Sequence, residues 1–265
     1  MLHFPNIDPV ALHLGPVAIR WYALAYIAGV VLGLQYAKHL ARRYITASAT
    51  GITPAHFTDF ISWVILGILL GGRLGYVLFY NSDFYLQHPL DALMIWHGGM
   101  SFHGGLLGVI LSSFLFCRHH KLRFLSFTDI MACVAPIGLF FGRLANFING
   151  ELYGRTSDAS WAMIFPRGGD EPRHPSQLYE AGLEGIALFI LLAVLASRKT
   201  LREREGFLSG MFLILYGLFR SFCEFFREPD IQLGFLAGGT TMGQLLCIPM
   251  IAFGGWLVWK SRNVK

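Results

Sequence analysis

The sequence has 265 residues, is 54% hydrophobic and carries a formal net charge of +5. Charged residues make up 14%, against about 25% in soluble domains, and the apolar residues fall in long runs. This excludes a soluble globular fold. The excess Lys and Arg sit in short clusters at the ends of the apolar runs, which argues against a nucleic-acid partner.

The first residues, MLHFPNIDPVALHLGPVAIRW, place no basic stretch ahead of an apolar run. They do not read as a cleavable signal peptide, and the first span is expected in the mature protein. Runs of roughly 20 apolar residues cross a bilayer as helices. Seven are expected, at 17–37, 57–80, 100–116, 127–148, 177–197, 207–226 and 241–259. The fold class is therefore all-α and polytopic, with one integral membrane domain over 1–265. Two outer segments, 81–99 and 149–176, lie within it. In the first, Leu86, Leu90, Leu93 and Met94 repeat at helical spacing, so it is either a short interfacial helix or a connecting loop. The second contains WAMIFPRGG, which fits a small strand or turn.

Basic clusters follow spans one, three, five and seven: Lys38, Arg42 and Arg43; Arg118, Lys121 and Arg123; Arg198, Lys199, Arg202 and Arg204; Lys260, Arg262 and Lys265. They hold 13 of the 21 Lys and Arg. Positive residues mark the cytoplasmic side, so the N-terminus is expected outside and the C-terminus inside.

Ionisable residues within spans are costly and mark functional sites. Arg20 and Tyr22 open span one, and Arg73 lies in the outer half of span two. His103 opens span three; Arg143 and Asn146 end span four. Glu180 and Glu184 begin span five, and Tyr216, Arg220 and Glu224 line one face of span six at i, i+4, i+8. All are expected at one depth, toward the outside. A guanidinium stays charged when buried and its fork matches phosphate oxygens, so this collection suggests a phosphate head group. Gly71, Gly72 and Gly75 flank Arg73, and Gly98, Gly99, Gly104 and Gly105 flank His103. They serve close approach of a ligand, helix packing, or both. His103 is the natural proton acceptor of the set; His97 lies further into the outer loop.

Other chemistries find less support. No G-x-S-x-G or H-E-x-x-H is present. Asp59 and Asp129 read as helix N-terminal residues rather than a protease pair. A transporter would carry polar residues across both leaflets and often an internal repeat; neither is seen. Cys117, Cys133, Cys223 and Cys247 are widely spaced and read as packing residues, not a disulfide framework or metal cluster.

Residues 142–155, GRLANFINGELYGR, closely resemble the signature of the prolipoprotein diacylglyceryl transferases, G-R-x-(G or A)-N-F-x-N-x-E-x-x-G. GGRLGYVLFYN, GGMSFHGG, RHPSQLYE and EFFREPD resemble further family blocks, in the family's order. The stretch between Arg155 and Arg173 is short compared with some members. The resemblance implies transfer of diacylglycerol from phosphatidylglycerol to the lipobox cysteine of a preprolipoprotein. A thioether forms and glycerol 1-phosphate leaves, on the outer face of the bacterial inner membrane. It implies His103, Arg143 and Arg220 as catalytic residues, with His103 either the base or a lipid-positioning group. Tyr22, Arg73, Asn146, Glu151, Gly154, Tyr216 and Glu224 are then expected to bind substrate or support the site. No metal or organic cofactor is implied.

Overall fold

The computed structural model describes residues 2–5, 7–43, 51–228 and 239–262. Pro229 and Asp230 of the last sequence block, and Lys265 of the last basic cluster, lie outside them. The helices α1 (Trp21–Arg43), α2 (Pro54–Phe79), α3 (Phe102–His119), α4 (Phe124–Ile148), α5 (Ser176–Ser197), α6 (Phe207–Cys223) and α7 (Met242–Lys260) occur at the seven expected spans. By length and composition, α2, α4, α5 and α7 suffice to cross a membrane, and α6 is a shorter apolar helix. The start of span one differs from expectation. Val17–Arg20 is the second strand of a hairpin, paired antiparallel with Val10–Leu14, and the helix begins only at Trp21. The turn at Gly15 (φ +58), followed by Pro16, explains this.

Backbone contacts divide the chain into two compact units: 1–40 with 129–265, and 41–128. In the second unit, α2 and α3 pack through glycine. Gly67, Gly71 and Gly75 form one stripe of α2, and Gly104 and Gly108 face them from α3. A Cβ on Gly71 or Gly104 would overlap the other's carbonyl oxygen. Small residues at every fourth position let two helix backbones touch, the driving contact where lipid removes any hydrophobic gain. On the next stripe of α2, Leu66, Leu70, Leu74 and Leu78 are each more than half exposed, as a lipid-facing row would be. Of the two readings of these glycines, helix packing accounts for Gly71, Gly75 and Gly104.

The segment after α2 is helical in pieces, not as one helix. Ser82–Gln87 is α-helical, and Pro89–Leu93 and Ile95–His97 are 3₁₀ turns. Pro89 removes a donor and restrains His88. Leu86, Leu90 and Leu93 remain exposed.

In the first unit, α6 and α7 meet at Gly210 and Gly254, where a Cβ on either would lie 2.7 Å from the other's carbonyl oxygen. Asp129 does cap a helix, but not its own. It sits in the second turn of α4, 3% exposed, and accepts hydrogen bonds from Gly206 N (2.8 Å) and Ser209 N (2.7 Å) at the start of α6. A carboxylate there satisfies orphan N–H groups and faces the positive end of the helix dipole. The parallel pair Leu2–His3 with Met163–Ile164 confirms the small strand in WAMIFPRGG. Cys117, Cys133, Cys223 and Cys247 are buried and free.

Candidate active site

The first unit gathers charge from three helices. Arg143 comes from α4, Glu180 and Glu184 from the start of α5, and Arg220 from α6. One oxygen is shared: Glu180 Oε2 lies 2.8 Å from Arg143 Nη2, 3.1 Å from Arg220 Nη1 and 3.9 Å from Arg227 Nη1. Glu184 lies 3.5 Å from Arg143 and 3.6 Å from Arg220. Both glutamates are 0% exposed, while the side chains of Arg143 and Arg220 are 17% and 14% exposed. The acids are thus fully buried, while the two arginine side chains are partly exposed. Glu180 Oε1 and both oxygens of Glu184 receive no hydrogen bond.

Local structure explains the placement. Glu180 and Glu184 are four residues apart and share a face. The stretch Ala181–Ala187 is wound as π-helix, a form often found at functional sites. Gly185 lets this turn close on Phe140 of α4, where a Cβ would sit 2.7 Å from the Phe140 Cβ. Arg220 Nη2 also pairs with Glu224 Oε1. Glu224 Oε2 accepts from the Thr241 hydroxyl (2.7 Å), which caps α7 by accepting from Gln244 N (3.3 Å). Tyr216 stacks on Phe212 one turn away from Arg220.

Further hydrogen bonds fix the loop after α4. Glu151 accepts from Asn146 (2.9 Å) and Asn149 (3.4 Å), and its carbonyl accepts from Gln177 (2.7 Å). Leu152 adopts φ +57, unusual without glycine, and its carbonyl accepts from the Ser176 hydroxyl (3.1 Å). Gly154 bonds His174 O through its N–H (2.8 Å), and a Cβ there would overlap Phe226 O. Arg155 donates to the carbonyls of Arg227 (2.8 Å) and Glu224 (3.0 Å), tying the loop to the end of α6. Burial lowers the pKa of the His174 ring, which favours the neutral form. That suits its contact with Tyr179 (3.1 Å), whose oxygen already accepts from Trp161 Nε1 (2.7 Å). Tyr22, in the first turn of α1, accepts from the Tyr26 hydroxyl (3.2 Å).

The expected site residues therefore divide. Arg143, Asn146, Glu151, Gly154, Tyr216, Arg220, Glu224 and Tyr22 belong to the first unit; Arg73 and His103 belong to the second. His103 is exposed in the first turn of α3, whose N-cap Ser101 accepts from Gly104 N (3.1 Å). Of the two expected roles, binding substrate or supporting the site, Arg73 fits support by its hydrogen bonds. It is 6% exposed, and all five of its N–H donors end on backbone carbonyls: Ala92 (2.7 Å), Asp91 (2.6 Å), Met94 (3.2 Å), Gly98 (2.6 Å) and Gly99 (3.2 Å). Gly98 and Gly99, at φ +84 and +78, turn those carbonyls inward. No donor remains for a phosphate. Arg227, within the block EFFREPD, is a site residue that the sequence reading does not single out; its signal is its spacing, which continues the stripe of Arg220 and Glu224 at i+7.

Apolar helices long enough to cross a membrane, with an arginine–glutamate cluster buried among them, define a polytopic membrane protein with a polar centre. The family described as prolipoprotein diacylglyceryl transferase matches residues 9–260. Proteins named phosphatidylglycerol–prolipoprotein diacylglyceryl transferase are similar over nearly the whole length. That of Azospirillum brasilense is 60% identical over 98% of this chain and 96% of its own, and that of Rhodospirillum rubrum 57% over 100% and 96%. That of Allorhizobium ampelinum is 55% identical over 99% and 93%. The chain belongs to the prolipoprotein diacylglyceryl transferase family.

Proposed function

We propose that this chain transfers the diacylglyceryl group of phosphatidylglycerol to the thiol of a preprolipoprotein's lipobox cysteine, the first step of lipoprotein maturation. The observation that carries the reading is the convergence of two partly exposed arginine side chains, Arg143 and Arg220, on one buried carboxylate oxygen. The substrate sulfur attacks the diacylglyceryl carbon that bears the phosphodiester oxygen. A C–S bond forms, the C–O bond breaks, and the electron pair leaves with glycerol 1-phosphate. Arg143 and Arg220 stabilise the charge growing on that phosphate in a site shielded from water. His103 takes the thiol proton, because the thiolate is the nucleophile. Asn146, Glu151, Gly154, Tyr216 and Glu224 hold the arginine-bearing segments in place, and Tyr22 contacts the substrate. Arg73 acts at one remove, by fixing the carbonyls of segment 91–99 next to the start of α3.

The test is an assay of purified protein with phosphatidylglycerol and a lipobox peptide. Thioether formation supports the reading; peptide cleavage, or no product from folded protein, overturns it. In the same assay, replacing Cys117, Cys133, Cys223 and Cys247 together by Ala should leave specific activity largely intact, since the nucleophile is the substrate's. A peptide with Ser for the lipobox Cys should give no product. A folded but inactive cysteine-free protein, with one cysteine alone responsible, would instead indicate a covalent lipid–enzyme intermediate.

The chain acts as a single membrane domain of the bacterial inner membrane, with the N-terminus and the arginine cluster toward the periplasm. The basic clusters after α1, α3, α5 and α7 support this orientation. A reporter active only in the periplasm should work when fused after Asn81 or Gly168 and be silent after Thr200. The opposite pattern would reverse the topology.

A further inference from the structure

We propose that Glu184 takes up a proton when the lipid phosphodiester binds, and that this uptake sets the pH dependence of lipid affinity. The proposal rests on the reading of the arginine cluster as the phosphate seat and asks how that seat stays electrically balanced.

The cluster is neutral as it stands. Arg143, Arg220 and Arg227 face Glu180, Glu184 and Glu224 at ion-pair distance, three charges against three. A phosphodiester adds one negative charge. In a site with little water, an extra charge is poorly screened and costs far more than at a surface. The arginines cannot adjust, because a guanidinium does not give up or gain a proton in this range. One of the acids must be neutralised.

Hydrogen bonding singles out which one. Glu224 uses both oxygens, one on Arg220 and one on the Thr241 hydroxyl. Glu180 accepts from Arg220 through Oε2, which also meets Arg143 at 2.8 Å. Glu184 is fully buried and accepts no hydrogen bond at either oxygen. Its oxygens lie 3.5 Å from Arg143 and 3.6 Å from Arg220, so it is held by ion pairing alone, and a buried carboxylate without a close hydrogen bond is the costliest charge of the three to keep. That pairing compensates it only while those cations have no other anion to face. A phosphate on the two arginines draws their charge away.

Of the other groups around Glu184, the acids Glu180 and Glu224 each accept a hydrogen bond that favours the charged form. Its own helix brings Glu180; α4 brings Arg143; α6 brings Arg220, Tyr216 and Cys223; Arg227 follows α6, and α7 brings Cys247. The tyrosine and the cysteines enter as neutral groups and have no proton to gain. When the C–O bond later breaks, the second negative charge on the phosphate is the one the thiolate brought in, and its counterpart is the thiol proton held by His103; the proton on Glu184 remains the balance for the first.

The test is calorimetric binding of phosphatidylglycerol to the purified protein in two buffers of different ionisation heat. Wild type should take up about one proton per lipid, with the dissociation constant rising toward tenfold per pH unit through the titration window. Diacylglycerol, which carries no phosphate, should bind without uptake. Glu184→Gln should bind phosphatidylglycerol without uptake and with an affinity nearly flat in pH. Lipid binding that needs Arg143 but takes up no proton in wild type overturns the role of Glu184 alone. So does an unchanged proton count in folded Glu184→Gln. Undiminished lipid binding by Arg143→Ala removes the phosphate seat itself, and this inference with it.

Discussion

Arg143→Lys should lose most activity although its charge is kept. Lysine offers one compact ammonium where arginine offers a planar fork. In this cluster Nη2 meets Glu180 Oε2 at 2.8 Å and Glu184 Oε2 at 3.5 Å, and in the proposed reaction the same fork also binds the phosphate. An ammonium that stays on Glu180 leaves the phosphate, and one that reaches the phosphate leaves Glu180. Losing one donor to a developing oxyanion costs about 100-fold in turnover or more, roughly 3 kcal/mol. Folding should survive, because the buried acids keep a cation. The measurement is turnover of purified variant with phosphatidylglycerol and a lipobox peptide, beside its thermal unfolding in detergent. Near-normal turnover in a folded protein would remove Arg143 from the chemistry.

Gly104→Leu should prevent stable folding of the second unit, whereas Gly105→Ala should be nearly silent. The two glycines are neighbours, and the sequence does not separate them. A Cβ on Gly104 would overlap Gly71 O and sit 2.9 Å from Gly75 Cα, where only backbone would have to move. A Cβ on Gly105 would meet nothing nearer than Ile68 O at 3.8 Å, an ordinary contact. Forcing α2 and α3 apart costs about 3 kcal/mol or more, since every close contact along the stripe is lost together. Thermal unfolding of the two purified variants reads the difference directly. Equal melting temperatures would mean that the helix pair does not depend on this approach.

These two cases also show where sequence reading succeeds. The seven long helices were legible as apolar runs, and four of them are long and apolar enough to cross a membrane. Arg220 with Glu224, and Glu180 with Glu184, were legible because the helix period places residues four apart on one face. Asn146, Glu151 and Gly154 stand in the motif around Arg143, and one bond among them is short-range: Asn146 reaches Glu151 within one turn and loop. The bonds of Gly154 to His174 and of Glu151 to Gln177 come from further along the chain.

What only the tertiary structure decided is long-range and directional. Arg73 and Arg143 are the same residue type at similar expected depth, yet one gives every donor to carbonyls 18 to 26 residues away and the other faces acids on another helix. Asp129 caps a helix that begins 77 residues later in the chain. Glu180 gathers Arg143 on one side and the Arg220–Arg227 stripe on the other, from segments that no local spacing connects to it. Local pattern fixes which face a side chain occupies. Its partner depends on which backbone groups are left unsatisfied when helices meet, and inside a membrane no water is present to satisfy them instead.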